Sequence, residues 1–119
     1  MLVVWSSKTG NVKRFISKLG IKNIELQDYL IINEPFVIIT YTTGFGLVPQ
    51  KVIDFLENNH FYLRGVASSG NRNWHNNFAL AADKISQKYG VPIIHKFELS
   101  GTNKDVETFI EGLSKLNGR

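Results

Sequence analysis

The segment that most constrains this chain is Phe36-Val37-Ile38-Ile39-Thr40-Tyr41-Thr42, which is apolar almost throughout. Successive side chains of a strand point to opposite faces, so a strand with this pattern has no face to offer water. It must be covered above and below. The surrounding sequence supplies the covers, because segments of strand character alternate with segments of helical spacing. A parallel sheet with helices on both faces is the arrangement that satisfies such a pattern.

The alternation runs the length of the chain. Leu2–Trp5 is a short β-branched apolar run that ends in Ser-Ser, and it reads as a buried first strand. Val12, Phe15, Ile16 and Leu19 then follow at helical spacing, with Gly20 as the stop. Ile24–Leu26 is a candidate short second strand, and Phe36–Thr42 is the third. Val52, Ile53, Phe55 and Leu56 mark a second helix, and Phe61–Ala67 a fourth strand. A helix from about Asn76 to Tyr89 places Phe78, Ala81, Ala82 and Ile85 on one side, with Gly90 and Pro92 ending it. Val91–Leu99 is the fifth strand. A last helix after Asn103 carries Val106, Phe109, Ile110 and Leu113.

With 119 residues the chain fits one domain, 1–119, in which folding buries roughly two thirds of the unfolded surface. Connections this short predict a three-layer α/β sandwich with a five-stranded parallel sheet of order 2-1-3-4-5, the flavodoxin-like arrangement. In such sheets ligands bind at the carboxyl ends of the strands, where strands 1 and 3 diverge.

Composition removes several classes of function. The chain has no cysteine, so disulfides, iron–sulfur clusters and cysteine nucleophiles are excluded. Its opening residues lack a basic lead and a long apolar run, and no stretch approaches the ~20 apolar residues of a membrane span. A cytoplasmic protein is the expectation. The net charge of +4 comes from scattered residues rather than a dense Lys/Arg run, which argues against a nucleic-acid partner. No metal-ligand motif is present.

Three loops are expected at the ligand edge of the sheet. Ser6-Ser7-Lys8-Thr9-Gly10-Asn11, followed by Val12, offers hydroxyls, an amide, an ammonium group and a glycine at the start of a helix. That chemistry suits a phosphate, though it also suits a well-capped turn. It lacks both the Walker A spacing and G-x-G-x-x-G. In Thr42-Thr43-Gly44-Phe45-Gly46, two glycines flank an aromatic, as suits a backbone lying against a flat ring or a plain flexible turn. The third loop is Ser68-Ser69-Gly70-Asn71-Arg72-Asn73-Trp74-His75. It brings amides for a polar ring edge and an indole for a ring face. Each loop alone is ambiguous. Together they fit flavin mononucleotide (FMN) better than other common cofactors.

These loops, with Thr42 to Pro49, Gly65 to Trp74 and Phe97-Glu98-Leu99-Ser100-Gly101-Thr102, make the chain resemble the NrdI family over nearly its whole length. That resemblance implies a small flavodoxin-like FMN protein serving class Ib ribonucleotide reductase. It implies electrons taken from a reductase or redoxin, and a reduced flavin that reacts with O2. The resulting superoxide or peroxide would reach the dimanganese site of the reductase β subunit, where a tyrosyl radical forms. By position, Ser6, Ser7, Thr9, Gly10 and Asn11 would hold the phosphate, with Lys8 and Val12 beside them. Thr42, Thr43, Gly44 and Phe45 would line one side of the flavin, and Ser69, Gly70, Asn71, Asn73 and Trp74 the other, with Trp74 stacked on the ring; His75, read from the loop itself, is a further candidate contact or a solvated side chain. The Gly44 peptide is the expected point of redox-linked reorientation. Lys8, Arg72 and His75 are expected to bring positive charge to the ring. The sequence departs from the family pattern in one place, reading Ala67-Ser68-Ser69-Gly70-Asn71 where Ala-Ser-Gly-Asn is usual. A general electron-transfer flavodoxin and a small FMN-dependent reductase share the fold and stand as alternatives. A receiver-type signalling domain has the same topology but is set aside, because it needs an acidic cluster after strand 1 and a phosphorylatable Asp after strand 3, where this chain has Trp5-Ser6-Ser7 and Thr42-Thr43.

Overall fold

The computed structural model describes residues 1–117. Five strands, β1 (Leu2–Trp5), β2 (Asn23–Glu25), β3 (Phe36–Tyr41), β4 (Leu63–Gly70) and β5 (Ile93–Glu98), form one sheet. Its order is β2-β1-β3-β4-β5 and every pairing is parallel. The helices are α1 (Asn11–Ser17), α2 (Gln50–Asn59), α3 (Ala81–Tyr89) and α4 (Asn103–Asn117). Short 3-10 turns occupy His60–Tyr62 and Arg72–Asn77.

Strand pleating divides the core into two layers. On one face Val4, Ile38 and Val66 pack with Val52, Phe55 and Leu56 of α2 and Ala82 and Ile85 of α3. On the other, Val3, Trp5, Val37, Ile39 and Ala67 meet α1 and α4. Phe15 of α1 stacks on Phe97 of β5 with ring centroids 4.0 Å apart, and Phe109 of α4 meets Phe15 edge-on at 5.8 Å. All three rings are fully buried, a burial that stabilises by about 1.5–3 kcal/mol per side chain. The central strand β3 is closed to solvent from Phe36 to Thr40, as its unbroken apolar pattern requires.

Some boundaries differ from the sequence reading. β2 begins one residue earlier, with Leu26 donating its N–H to Trp5 O just beyond the strand. β5 is trimmed at both ends: Pro92 contributes only its carbonyl, to Val66 N, and Leu99 turns to φ 53°. β4 begins later, at Leu63, because His60–Tyr62 form a 3-10 turn, and it then runs on through Ser68, Ser69 and Gly70. α3 begins at Ala81 rather than Asn76, because His75 and Ala79 adopt positive φ and interrupt the helix.

The β5–α4 connection is closed by a reciprocal cap. Thr102 N donates to Asp105 Oδ2 at 2.7 Å, and Asp105 N donates to Thr102 Oγ1 at 3.2 Å. His95 Nε2 of β5 donates to the same carboxylate at 2.7 Å. Partial burial works to raise the Asp105 pKa, but the hydrogen bonds from His95 and Thr102, helped by the imidazole charge, hold it below its ordinary value. A carboxylate whose pKa is depressed by folding stabilises above its unfolded value of about 3.9, and that contribution fades as pH falls through the folded value. Asp105→Asn is therefore expected to melt at lower temperature than the parent at pH 7. The gap should close progressively below about pH 4. Parallel melting curves across that range would show the carboxylate to be without effect.

Candidate functional site

Where β1, β3 and β4 end, the chain forms an open cleft of about 320 Å³. Ser7, Lys8, Thr9, Asn11 and Val12 line it from the first loop, and Thr42, Thr43 and Gly44 from the second. Ser69, Gly70, Asn71 and Trp74 line it from the third. Tyr41, Asn77, Ala79 and Leu99 join them. Ser6, Gly10, Phe45, Asn73 and His75 are not in its lining.

Those five residues have other positions. Ser6 is buried, and its N–H donates to Ile39 O at 3.0 Å, tying the first loop to β3. Gly10 is the residue before α1, with φ 90° and no side-chain cap on the helix. Phe45 stands 74% exposed at the tip of its loop. Asn73 donates its backbone N–H to Asn71 Oδ1 at 2.9 Å, while its own side chain is exposed. His75 is exposed, with φ 50° and ψ −113°.

In the first loop Ser7 Oγ accepts from Lys13 N at 3.3 Å, and Asn11 Nδ2 donates to Thr9 Oγ1 at 3.4 Å. Lys8 is exposed and enters no ion pair among the described residues. The set is therefore hydroxyl, amide and ammonium donors around one loop, which is the chemistry an anionic group needs.

The second loop is a tight hairpin tip. Thr43 N donates to Leu47 O at 2.9 Å, and Leu47 N returns the bond to Thr43 O at 2.7 Å. Gly44 sits at φ 53°, with 3.5 Å between an imagined Cβ and Leu47 Cδ1. Space is thus present, but the backbone conformation is one that side-chain-bearing residues avoid. The Phe45 ring meets the Trp74 ring edge-to-face, at 5.4 Å between centroids and 86° between planes.

The third loop is fixed from behind. Ser68 Oγ donates to Ala79 O at 2.6 Å and accepts from Ala82 N at 3.2 Å. Ser69 Oγ donates to Leu99 O at 2.6 Å. Adjacent strand residues point to opposite faces, so the paired serines hold the start of α3 on one side and the end of β5 on the other. The extra serine of the sequence is thus absorbed into β4. Asn71 spends its carboxamide oxygen on Asn73 N, which leaves its amine end free to donate. Arg72 does not reach the cleft: its guanidinium lies 4.5 Å over the Phe78 ring and pairs with Glu98 at 3.7 Å. The positive charge expected there from Arg72 is engaged elsewhere.

The lining residues that sequence reasoning missed have weak signals. Ala79 and Leu99 adopt φ of 49° and 53°, which no composition pattern announces. Tyr41 lies in the predicted third strand, and its place beside Thr42 was the available clue. Among the described residues, no cluster of His, Cys, Asp and Glu suits a metal, and no helix is long and apolar enough to cross a membrane.

Solved structures with this architecture include flavodoxins. A short-chain flavodoxin associated with a non-canonical PDU bacterial microcompartment matches with TM-score 0.62 and 24% identity, covering 96% of this chain and 95% of that one. A point mutant of flavodoxin from Pseudomonas aeruginosa matches with TM-score 0.54 and 16% identity, covering 98% and 94%. By fold, the chain is a flavodoxin-like protein. The family model described as NrdI Flavodoxin like matches residues 3–111. Protein NrdI of Bacillus licheniformis is 54% identical over 117 residues, 96% of this chain and 88% of that protein. The chain belongs to the NrdI flavodoxin-like family, a family of flavoproteins.

Proposed function

We propose that the cleft binds FMN and that the protein is the flavin partner of a class Ib ribonucleotide reductase. The observation that carries the reading is the convergence of three loops, separated in sequence, on one cleft with complementary chemistry. When bound, FMN supplies a reduced ring that reacts with O2, giving superoxide or peroxide for the dimanganese–tyrosyl radical site of the reductase β subunit.

The residues of this chain do the holding. Ser7, Thr9 and Asn11 donate hydrogen bonds to the phosphate, and Lys8 offsets its charge. Ser6 and Gly10 shape the loop from beneath. Gly44 lets its peptide turn toward the ring edge at low steric cost, and Asn71 donates its free amine end there. Trp74 covers the ring face, with Phe45 bracing the indole. Electrons arrive from a reductase or redoxin, and O2 is the small-molecule substrate.

Titration of apo-protein with FMN tests the reading. Tight, near-stoichiometric binding is expected, with clear preference for FMN over riboflavin, and Trp74→Ala should weaken it about tenfold. Apo-protein that ignores FMN would overturn the reading. Co-purification with a reductase β subunit separates this role from that of a general electron-transfer flavodoxin.

A further inference from the structure

The proposed phosphate loop is tied to a part of the fold distant in sequence. Arg14 lies on α1, three residues after Asn11, and its Nη2 donates to Asn11 Oδ1 at 2.8 Å. Its Nε donates to Ser100 Oγ at 2.9 Å. Ser100 Oγ in turn donates to Asn11 Oδ1 at 2.9 Å. The three side chains form a closed ring of hydrogen bonds. Lys18 Nζ adds a clamp, donating to Ser100 O at 3.0 Å and Gly101 O at 2.8 Å.

The ring has a consequence for Asn11. A carboxamide oxygen accepts two hydrogen bonds, and here both are filled by donors, one of them a guanidinium that cannot accept. Asn11 therefore has one permitted orientation, with its amine end turned away from Arg14 and Ser100. That end points to Thr9 Oγ1, and Asn11 and Thr9 both line the cleft. Arg14 and Ser100 are absent from the lining. The Arg14 Nη1 atom lies only 2.7 Å from where a Cβ on Gly10 would be, so the guanidinium also backs the loop directly.

We infer that Arg14 and Ser100 are positioning residues for the phosphate end of the ligand. They lock the Asn11 amide as a donor, and they make the β5–α4 loop a functional support of the first loop. This rests on reading the first loop as the phosphate end of the FMN site. Without the two donors, Asn11 is free to present its oxygen, which would repel an anion.

The experiment compares FMN with riboflavin, which has the ring but no phosphate. Arg14→Met keeps the apolar stem and removes the donors; Ser100→Ala is the milder variant. Each apo-protein is titrated with both ligands after its fold is checked by circular dichroism. FMN affinity is expected to fall about tenfold in Arg14→Met and about threefold in Ser100→Ala, which leaves the Arg14 donor on Asn11 in place, while riboflavin affinity stays within about twofold in both. The double variant should lose less than the product of the two single losses, because the ring acts as a unit. Equal losses for both ligands would mean a merely structural role and would overturn the inference, as would unchanged FMN affinity in both variants. A parent protein that binds riboflavin as tightly as FMN would instead overturn the phosphate reading itself, so the two failures are separable.

Discussion

Gly70→Ala is expected to cost about 2–3 kcal/mol of stability and to weaken FMN binding at least tenfold. A Cβ built at Gly70 collides with Ala79 N and falls 2.8 Å from Ala79 Cα and 3.1 Å from Ala79 Cβ. The first two are backbone atoms, so no side-chain rotation relieves the clash. The end of β4 and the segment leading into α3 must separate. That motion would strain the Ser68 bonds to Ala79 and Ala82, which fix the same segment. It would also open the cleft, because Gly70 and Ala79 both line it. For a domain of this size the penalty corresponds to a melting temperature lower by about 10 °C. Thermal unfolding and FMN titration of the variant measure both effects. Parental values in both would mean that the approach of β4 to Ala79 is not a real constraint.

Asn59→Ala is expected to destabilise comparably, by about 3 kcal/mol, but to leave FMN affinity unchanged. Asn59 is 2% exposed. Its Oδ1 accepts from Ile32 N at 2.7 Å, and its Nδ2 donates to Leu30 O at 3.1 Å and Phe55 O at 2.9 Å. A single amide thus satisfies the backbone of the β2–β3 connection from the last residue of α2. Truncation leaves the buried Ile32 N–H and the part-buried Leu30 carbonyl without this partner, and an orphaned buried group costs about 1–3 kcal/mol. The bonds lie at the far end of α2 from the cleft, so the ligand should not sense their loss. Urea unfolding gives the stability change, and a variant that unfolds at the parental midpoint would remove Asn59 from the account. A large fall in FMN affinity would show instead that the two ends of the sheet are coupled.

The contrast between these two sites explains which features were legible in the sequence. The order of the sheet was legible because β3 is apolar on both faces and the helices carry clean apolar stripes, and both are local patterns. Gly44 and Gly70 were visible as residue types. The reason Gly70 is needed was not, because it depends on Ala79 arriving from another segment. The third loop departs from its sequence pattern for the same reason. Phe78, Ala81, Ala82 and Ile85 keep helical spacing, but positive φ at His75 and Ala79 delays the helix, and Phe78 lies beneath Arg72 instead. Ser68 and Ser69 resemble loop residues because they are polar. They complete β4 because each hydroxyl finds a carbonyl on a different neighbouring element. Arg14 carried no signal at all, since its partner Ser100 lies 86 residues away.

The chain has two tryptophans, and the fold gives them opposite surroundings. Trp5 is 7% exposed, its indole N–H donating to Asn23 Oδ1 at 2.9 Å within the sheet layer. Trp74 is 47% exposed and lines the cleft, with the Phe45 ring set edge-to-face against it. Their emission is therefore separable by wavelength, a blue component from the interior and a red one from the cleft. A ring seated on Trp74 extinguishes the red component first, while global unfolding shifts the blue one. One fluorescence spectrum, without label or dye, thus distinguishes filling of the cleft from loss of the fold.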